Sequence, residues 1–212
     1  MIRLSLTLFL VFQASISFAC DFQINKPDPS TLSDKELATE TKEYLFRVYR
    51  RVRCESVDVL DQKDFLSARD MYFKSEPQKC TAAIEEVFNN WPRAALSERE
   101  YYRLSSFCLS ADSNKLSHLV SLLTDELAAS GKFDPDLFKE NINAWVAHDH
   151  WGCELIKDRF TLDHPRHDQM YEQCQNDLLR SRLMDLSRWL APDDLEGQSP
   201  QTFNELKNIE SF

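Results

Sequence analysis

The chain has 212 residues, with 35 aspartates and glutamates against 25 lysines and arginines, and a formal net charge of −10 at pH 7. Nucleic acids and anionic membranes bind proteins through basic patches, so this charge argues against both and favours a basic protein partner. Only three glycines occur, and the phosphate loops, dinucleotide fingerprints and hydrolase elbows that need glycine are missing. We therefore expect a binding protein rather than an enzyme, with no catalytic residue and no cofactor.

Residues 1–19 are typical of a cleaved export signal. Arg3 supplies the basic start, an apolar run follows, and a small-x-small cleavage site precedes Cys20. The apolar run is shorter than the roughly 20 residues that span a bilayer, and no later stretch predicts a transmembrane helix. The sequence predicts a soluble protein, periplasmic or secreted, that begins at Cys20.

All six cysteines lie after this signal, and an even number in an exported chain favours disulfides. A rival interpretation makes Cys20 the acylated cysteine of a bacterial lipoprotein. Ser17 and Phe18 stand where that box usually has leucine and a small residue, and acylation would leave one thiol without a partner. The sequence therefore favours a disulfide at Cys20 over a lipid anchor.

The first predicted helix runs from Asp34 to Arg53. Two prolines keep the segment before it extended, Ser33 and Glu36 form a capping box, and apolar residues then follow one helical face. A second, weaker helix is predicted after Asp61, with its apolar side chains facing inward.

The next two helices form a predicted hairpin. Pro77 stands in the first turn of a third helix, which Pro92 ends, and Ser97 with Glu100 caps a fourth. This fourth helix carries Tyr101, Leu104, Phe107 and Cys108.

A fifth helix is predicted to start at Asp112 or Ser113 and to end at Gly131 in the left-handed conformation. Asp134 caps a sixth, with Pro135 in its first turn.

The sixth helix is expected to bury Val146 and to end near Gly152, and a short segment with Leu155, Ile156 and Phe160 follows. The last predicted helix runs from about Arg166 to Leu190.

The turns of two hairpins lie nearly midway between two cysteines. Antiparallel packing would therefore bring Cys80 to Cys108 and Cys153 to Cys174, while the extended segment before the first helix is long enough to return Cys20 to Cys54. Each bridge should stabilise the fold by about 3 kcal/mol in the chain-entropy model.

These elements predict an all-α domain over residues 20–192. It would contain six to eight helices arranged as consecutive antiparallel hairpins, in a bundle or a short solenoid-like stack, secured by the disulfides. No stretch has the period-two alternation of a strand. Residues 193–212 form an acidic, polar tail that holds at most one short docking helix.

Four of the five histidines lie in and beside the last hairpin: His148, His150, His164 and His167. With nearby aspartates they form an alternative zinc site, in a metal-binding protein or a metal-dependent hydrolase. On a helix His148 and His150 would point about 200° apart, and the predicted disulfide holds the middle of the hairpin rather than its ends. Helix entry and capping therefore explain these residues better than metal binding.

Two further groups of side chains have a structural and a functional interpretation. The four tryptophans, Trp91, Trp145, Trp151 and Trp189, fall mostly on apolar faces and are expected in the core. Arginines cluster around Tyr49 on the first helix at positions 47, 50, 51 and 53. They are suited to an acidic partner or a lipid headgroup, but such clusters are usually a solvated face paired with local acids.

The sequence therefore predicts an exported helical binding protein that acts through its surface, such as an inhibitor or immunity protein for a basic exported enzyme. This prediction follows from the export signal, the acidic charge, the cysteines and the missing catalytic motifs.

Overall fold

The structure, a computed structural model, describes residues 23–75, 79–157, 164 and 166–189. This part of the chain contains six α-helices, one short 3-10 helix and no strand, so the predicted all-helical class is confirmed. The α-helices are α1 (Asp34–Leu60), α2 (Phe65–Lys74), α3 (Lys79–Asn90), α4 (Glu98–Ala129), α5 (Pro135–Lys157) and α6 (His167–Trp189), and the 3-10 helix is Pro92–Ala94. The predicted export signal, Cys20, Pro77, Phe160 and the tail lie outside the described residues.

Local capping signals fix most of the helix starts. The predicted capping boxes of Ser33 with Glu36 and of Ser97 with Glu100 are both confirmed. The Asp134 carboxylate accepts hydrogen bonds from two backbone amides of the first turn of α5, at 3.0 Å each. Gly131 follows α4 with φ of 66°, which is the left-handed conformation predicted for it.

The helix α1 is longer than predicted. It ends at Leu60 rather than Arg53, so the predicted end was wrong. Residues 54–58 contain neither proline nor glycine, and Val59, which is fully buried, continues the apolar face.

The predicted break at Asp112 or Ser113 was also wrong, because α4 runs without interruption for 32 residues. Asp112 is buried, and its carboxylate binds Arg180 of α6 instead of capping a helix. A tertiary ion pair therefore replaces the local cap that the sequence suggested.

The predicted end of the sixth helix near Gly152 was wrong as well. Helix α5 continues through Gly152 to Lys157, so Leu155 and Ile156 are helical. A glycine inside a helix costs only about 1 kcal/mol relative to alanine, and the next residue, Cys153, is fully buried and bonded to Cys174.

Helices α1, α4 and α6 run in the same direction. Tyr49 in the middle of α1 lies against Phe107 of α4. Further along both, His118 Nε2 of α4 lies 2.9 Å from the carbonyl oxygen of Gln62, just after α1. Asn176 of α6 donates a hydrogen bond to the Leu109 carbonyl of α4. One turn later, Arg180 of α6 binds Asp112 of α4.

Helices α3 and α5 run in the opposite direction. Phe88 stacks on Tyr101 while Cys80 bonds to Cys108, so α3 is antiparallel to α4. Phe138 lies against Trp189 while Cys153 bonds to Cys174, so α5 is antiparallel to α6.

The apolar side chains form two cores, and α4 contributes to both. One core packs the end of α1 and all of α2 against α4, α5 and α6, and includes Leu116, Leu123 and Leu186. The other packs the first part of α1 against α3 and the start of α4.

The structure joins Cys80 to Cys108 and Cys153 to Cys174, the pairs that the turn positions predict. Their Cα atoms are 5.8 and 5.7 Å apart, within the usual range for disulfides. Cys54 is disulfide-bonded too, but because Cys20 lies outside the described residues, their pairing stays a prediction.

Two side chains that were expected in the core are exposed. Trp151 is 69% exposed and Val146 is 52% exposed, so these predictions were wrong. Trp91 is buried as predicted, and Trp145 and Trp189 pack partly buried against the first core. Apolar spacing alone did not show which side of a helix would lack a neighbour.

Candidate binding surface

The exposed sides of α1 and α4 combine cations with aromatic and aliphatic side chains. We call this surface the arginine–aromatic face. Its residues are Lys42, Phe46, Tyr49, Arg50, Arg53 and Val57 of α1 with Arg99, Arg103 and Phe107 of α4.

Helical periodicity gathers the α1 members on one side. Positions 46, 50, 53 and 57 recur at intervals of four, three and four residues, which places them on one stripe of a helix. Val48, Val52 and Val59 occupy the opposite, buried side. The face is therefore the side of α1 that no described element covers.

The apolar members of the face are open to solvent. Phe46 is 58% exposed, Val57 54% and Phe107 43%. Single exposed apolar residues are common on protein surfaces, but a group of neighbouring ones marks an interaction site.

Ring contacts join the two helices of the face. The Tyr49 and Phe107 ring centroids are 5.6 Å apart. The guanidinium carbon of Arg50 lies 5.9 Å from the Phe46 ring centroid, and that of Arg103 lies 6.0 Å from the Phe107 centroid. Both distances are within the range of cation–π contacts, which favour arginine side chains that lie on the rings.

The predicted pairing with local acids is seen for Arg47 and Arg51 of the α1 cluster. Arg47 binds Glu43 at 3.0 Å and Arg51 binds Glu55 at 2.8 Å. Arg53 makes no ion pair with any residue that the structure describes. The two pairs flank the face, which also carries the cation of Arg53.

Glu100 links the cations of the two helices at the start of α4. Hydrogen bonds from Ser97 are the main reason that the pKa of Glu100 is lowered, and the charges of Lys42 and Arg103 lower it further. Lys42 of α1 and Arg103 of α4 are therefore close enough to act on one carboxylate, so positive charge extends across both helices.

The chemistry of the face suits carboxylates carried on an apolar scaffold. A guanidinium group binds a carboxylate through two parallel hydrogen bonds, and the neighbouring aromatic rings can bury hydrocarbon. The arginines around Tyr49 were predicted as a possible contact group, whereas Phe46, Val57 and the contribution of α4 were not predicted. The 4-3-4 spacing on α1 was a readable signal, whereas nothing local indicates that α4 lies beside it.

The predicted histidine site is only partly described. His148 is exposed on α5. His164 is exposed, and its Nδ1 accepts a hydrogen bond from the Arg166 amide at 3.1 Å, as a residue at a helix entry does. His167 is buried, with Nδ1 2.9 Å from Asp168 Oδ1.

The side chain of His150 lies outside the part of the chain that the structure describes. Among the described side chains, no group of three His, Cys, Asp or Glu residues is arranged to hold a metal ion. The zinc site therefore stays a prediction.

A buried polar layer between α2, α4 and α6 was not predicted. Arg180 Nη2 donates to Asp112 Oδ2 at 2.7 Å, and Lys115 Nζ donates to Ser75 Oγ at 3.2 Å. Asn176 Nδ2 donates to the Leu109 carbonyl at 2.8 Å. Its sequence signal was the position of Asp112 and Lys115 at helical spacing within the apolar stripe of α4. The layer joins the three helices.

A second exposed apolar group lies on α5, where Leu137, Trp151 and Leu155 are 67%, 69% and 61% exposed. None of the described helices is both long and apolar enough to cross a membrane.

No protein-family model, no curated protein and no solved structure matches this chain.

Proposed function

We propose that this chain is a binding protein whose contact surface is the arginine–aromatic face. The observation that supports the proposal is the exposure of Phe46, Val57 and Phe107 among arginines, two of which lie over aromatic rings. Arginine and aromatic residues are enriched in the centres of protein interfaces and supply most of their binding energy.

The proposal includes export to the periplasm or the extracellular space. Disulfides persist in oxidising compartments, and the pairs Cys80–Cys108 and Cys153–Cys174 are compatible with that location. They would keep the helical hairpins assembled outside the cytosol. An inhibitor or immunity role toward an exported enzyme fits this setting.

The charge of the face changes the kind of partner to expect. The net charge of the chain, −10, favours a basic partner. The affinity and specificity of a complex, however, depend on the charges of the two surfaces in contact. The arginine–aromatic face is locally basic, and we propose that its partner presents carboxylates there.

Site-specific photocrosslinking in the producing cell tests this function. The Val57→p-benzoylphenylalanine variant places a crosslinker inside the face and leaves its rings and arginines intact. The control carries the same residue at Leu137, which is similarly exposed on α5. We expect one dominant adduct from position 57 that disappears when F46A and F107A are added. Equal adducts from both positions, or none from position 57, would contradict the proposal.

A further inference from the structure

We infer that the occupant of the arginine–aromatic face is an acidic amphipathic α-helix of a partner protein. This inference rests on the proposed function and goes further by assigning the chemistry and the spacing of the partner.

The spacing of the α1 side chains is suited to a second helix. Phe46, Arg50, Arg53 and Val57 follow one another at four, three and four residues, and Leu60, 37% exposed, extends the series by three. This alternation of three and four is the spacing along which two helices pack side by side. From Lys42 to Leu60 the stripe is about 27 Å long, at 1.5 Å per residue, which matches a partner helix of about five turns.

The order of apolar and basic side chains along the stripe indicates which side chains the partner helix should carry. Apolar side chains stand at positions 46 and 57, roughly 16 Å apart, and arginines stand at 50 and 53 between them. A complementary helix would carry two apolar anchors 11 positions apart, with acids at the fourth and seventh positions after the first anchor. Because the 4-3-4 spacing is the same in both directions, either helix orientation can satisfy it.

Helix α4 gives the stripe one wall. The Phe107 ring lies against Tyr49, and Arg103 lies over Phe107. A helix on α1 would therefore rest against an aromatic side wall that carries a cation at its rim. Helix-in-groove recognition of this kind reads anchors at intervals of three and four residues.

Charge disfavours two other occupants. A second copy of the chain would oppose Arg50 and Arg53 with the same arginines, and like charges across an interface are costly. An anionic bilayer would meet the basic face but also repel a chain of net charge −10. A short acidic helix contacts the face alone.

Titration with designed peptides tests the inference. The probe is a synthetic helix of about 20 residues with leucine anchors and glutamates at the stated positions, added to the full mature chain in a calorimeter. We expect saturable binding that weakens with salt, and a loss of about tenfold or more in affinity in the R50E/R53E variant. The K132E/K139E variant makes the same charge change at the α4–α5 end and should bind within about twofold of the wild type.

Three further probes decide between occupants. A peptide with lysine in place of glutamate, and one of the same composition with scrambled anchors, should not bind. Equal binding of either peptide, or an unchanged affinity in R50E/R53E, would overturn the inference. Binding to vesicles of phosphatidylglycerol and phosphatidylcholine that R50E/R53E abolishes, without peptide binding, would overturn it in favour of a membrane.

The acidic C-terminal segment of the chain is the last competitor. If the peptide binds only after Phe203 and Leu206 are replaced by alanine, the face belongs to that segment and the partner assignment fails. The crosslinking test is independent of these results. A crosslinked partner that the acidic peptide does not displace would leave the proposed function intact and reject only the acidic helix.

Discussion

Arg180 Nη2 lies 2.7 Å from Asp112 Oδ2, in a buried position where α6 packs against α4. Tyr72 of α2 lies beside this pair, and burial followed by the charge of Asp112 raises the pKa of its hydroxyl well above the ordinary value. One ion pair thus connects three helices. The sequence suggested a helix cap at this aspartate, and the structure shows a tertiary contact.

The D112N substitution should destabilise the fold. It removes the charge that compensates Arg180, and a buried cation without its partner is costly, so we expect a loss of about 2–4 kcal/mol in the free energy of unfolding. Urea denaturation followed by circular dichroism measures it. D125N, on the exposed part of the same helix, serves as the control and should stay within about 0.5 kcal/mol of the wild type.

The K115M substitution should stabilise the chain by about 1–2 kcal/mol at pH 7. Lys115 is fully buried, and burial lowers the pKa of its ammonium group against the opposing charges of Asp112 and Glu55. A lowered folded-state pKa means that the unfolded chain binds more protons, so wild-type stability rises with pH up to the unfolded value near 10.5. The advantage of K115M should therefore shrink as the pH rises towards that value. A less stable K115M protein would show that the bond to Ser75 outweighs the burial cost.

The E172Q substitution should have the opposite pH dependence. Burial raises the pKa of Glu172 above the ordinary value of 4.5, although Ser113 and Ser110 donate hydrogen bonds that lower it. Protonation therefore favours the folded state, and this stability is complete below pH 4.5 and lost as the pH rises through the folded pKa. We expect E172Q to match the wild type in melting temperature at low pH and to exceed it modestly at pH 7. Identical melting curves at both pH values would reject this assignment of the buried carboxyl.

Each disulfide should protect its own hairpin. In the C153A/C174A variant, hydrogen exchange should accelerate along α5, whose close contacts are mainly with α6. In C80A/C108A it should accelerate along α3 instead. Each loss is expected to be about 3 kcal/mol. Uniform acceleration in both variants would mean that the bridges act on the unfolded chain alone.

The tryptophans provide a test of burial. W91A should cost about 3–4 kcal/mol, because Trp91 is 6% exposed and stacks on Tyr44. W151A should change the stability by less than about 0.5 kcal/mol, because that ring is 69% exposed. Chemical denaturation of the two variants measures both. A large loss in W151A would show that a segment outside the described residues covers the ring.

Signals within a few residues were enough to predict the starts of α1, α4 and α5. The capping boxes at Ser33 and Ser97, and the left-handed Gly131, follow from hydrogen bonds and sterics that operate within one helical turn. The positions of the cysteines relative to the turns likewise indicated Cys80–Cys108 and Cys153–Cys174.

The remaining features depend on which helices become neighbours. Asp112 has the same local appearance whether it caps a helix or binds Arg180 across an interface. Phe107 lies next to the buried Cys108, yet it is 43% exposed and meets α1 through the Tyr49 ring. Only the α1 part of the arginine–aromatic face could be predicted from the sequence. Arg103 and Phe107 join it because α1 and α4 pack side by side.

The unbroken α4 has a mechanical consequence. This helix carries Phe107 on the outer face, Asp112 in the polar layer and Leu123 in the far core, so it works as a single stiff rod of about 48 Å. The helix has no break between its two ends at which a displacement of one end could be absorbed. A ligand that binds near Phe107 should therefore slow amide exchange at the distant end of α4 as well.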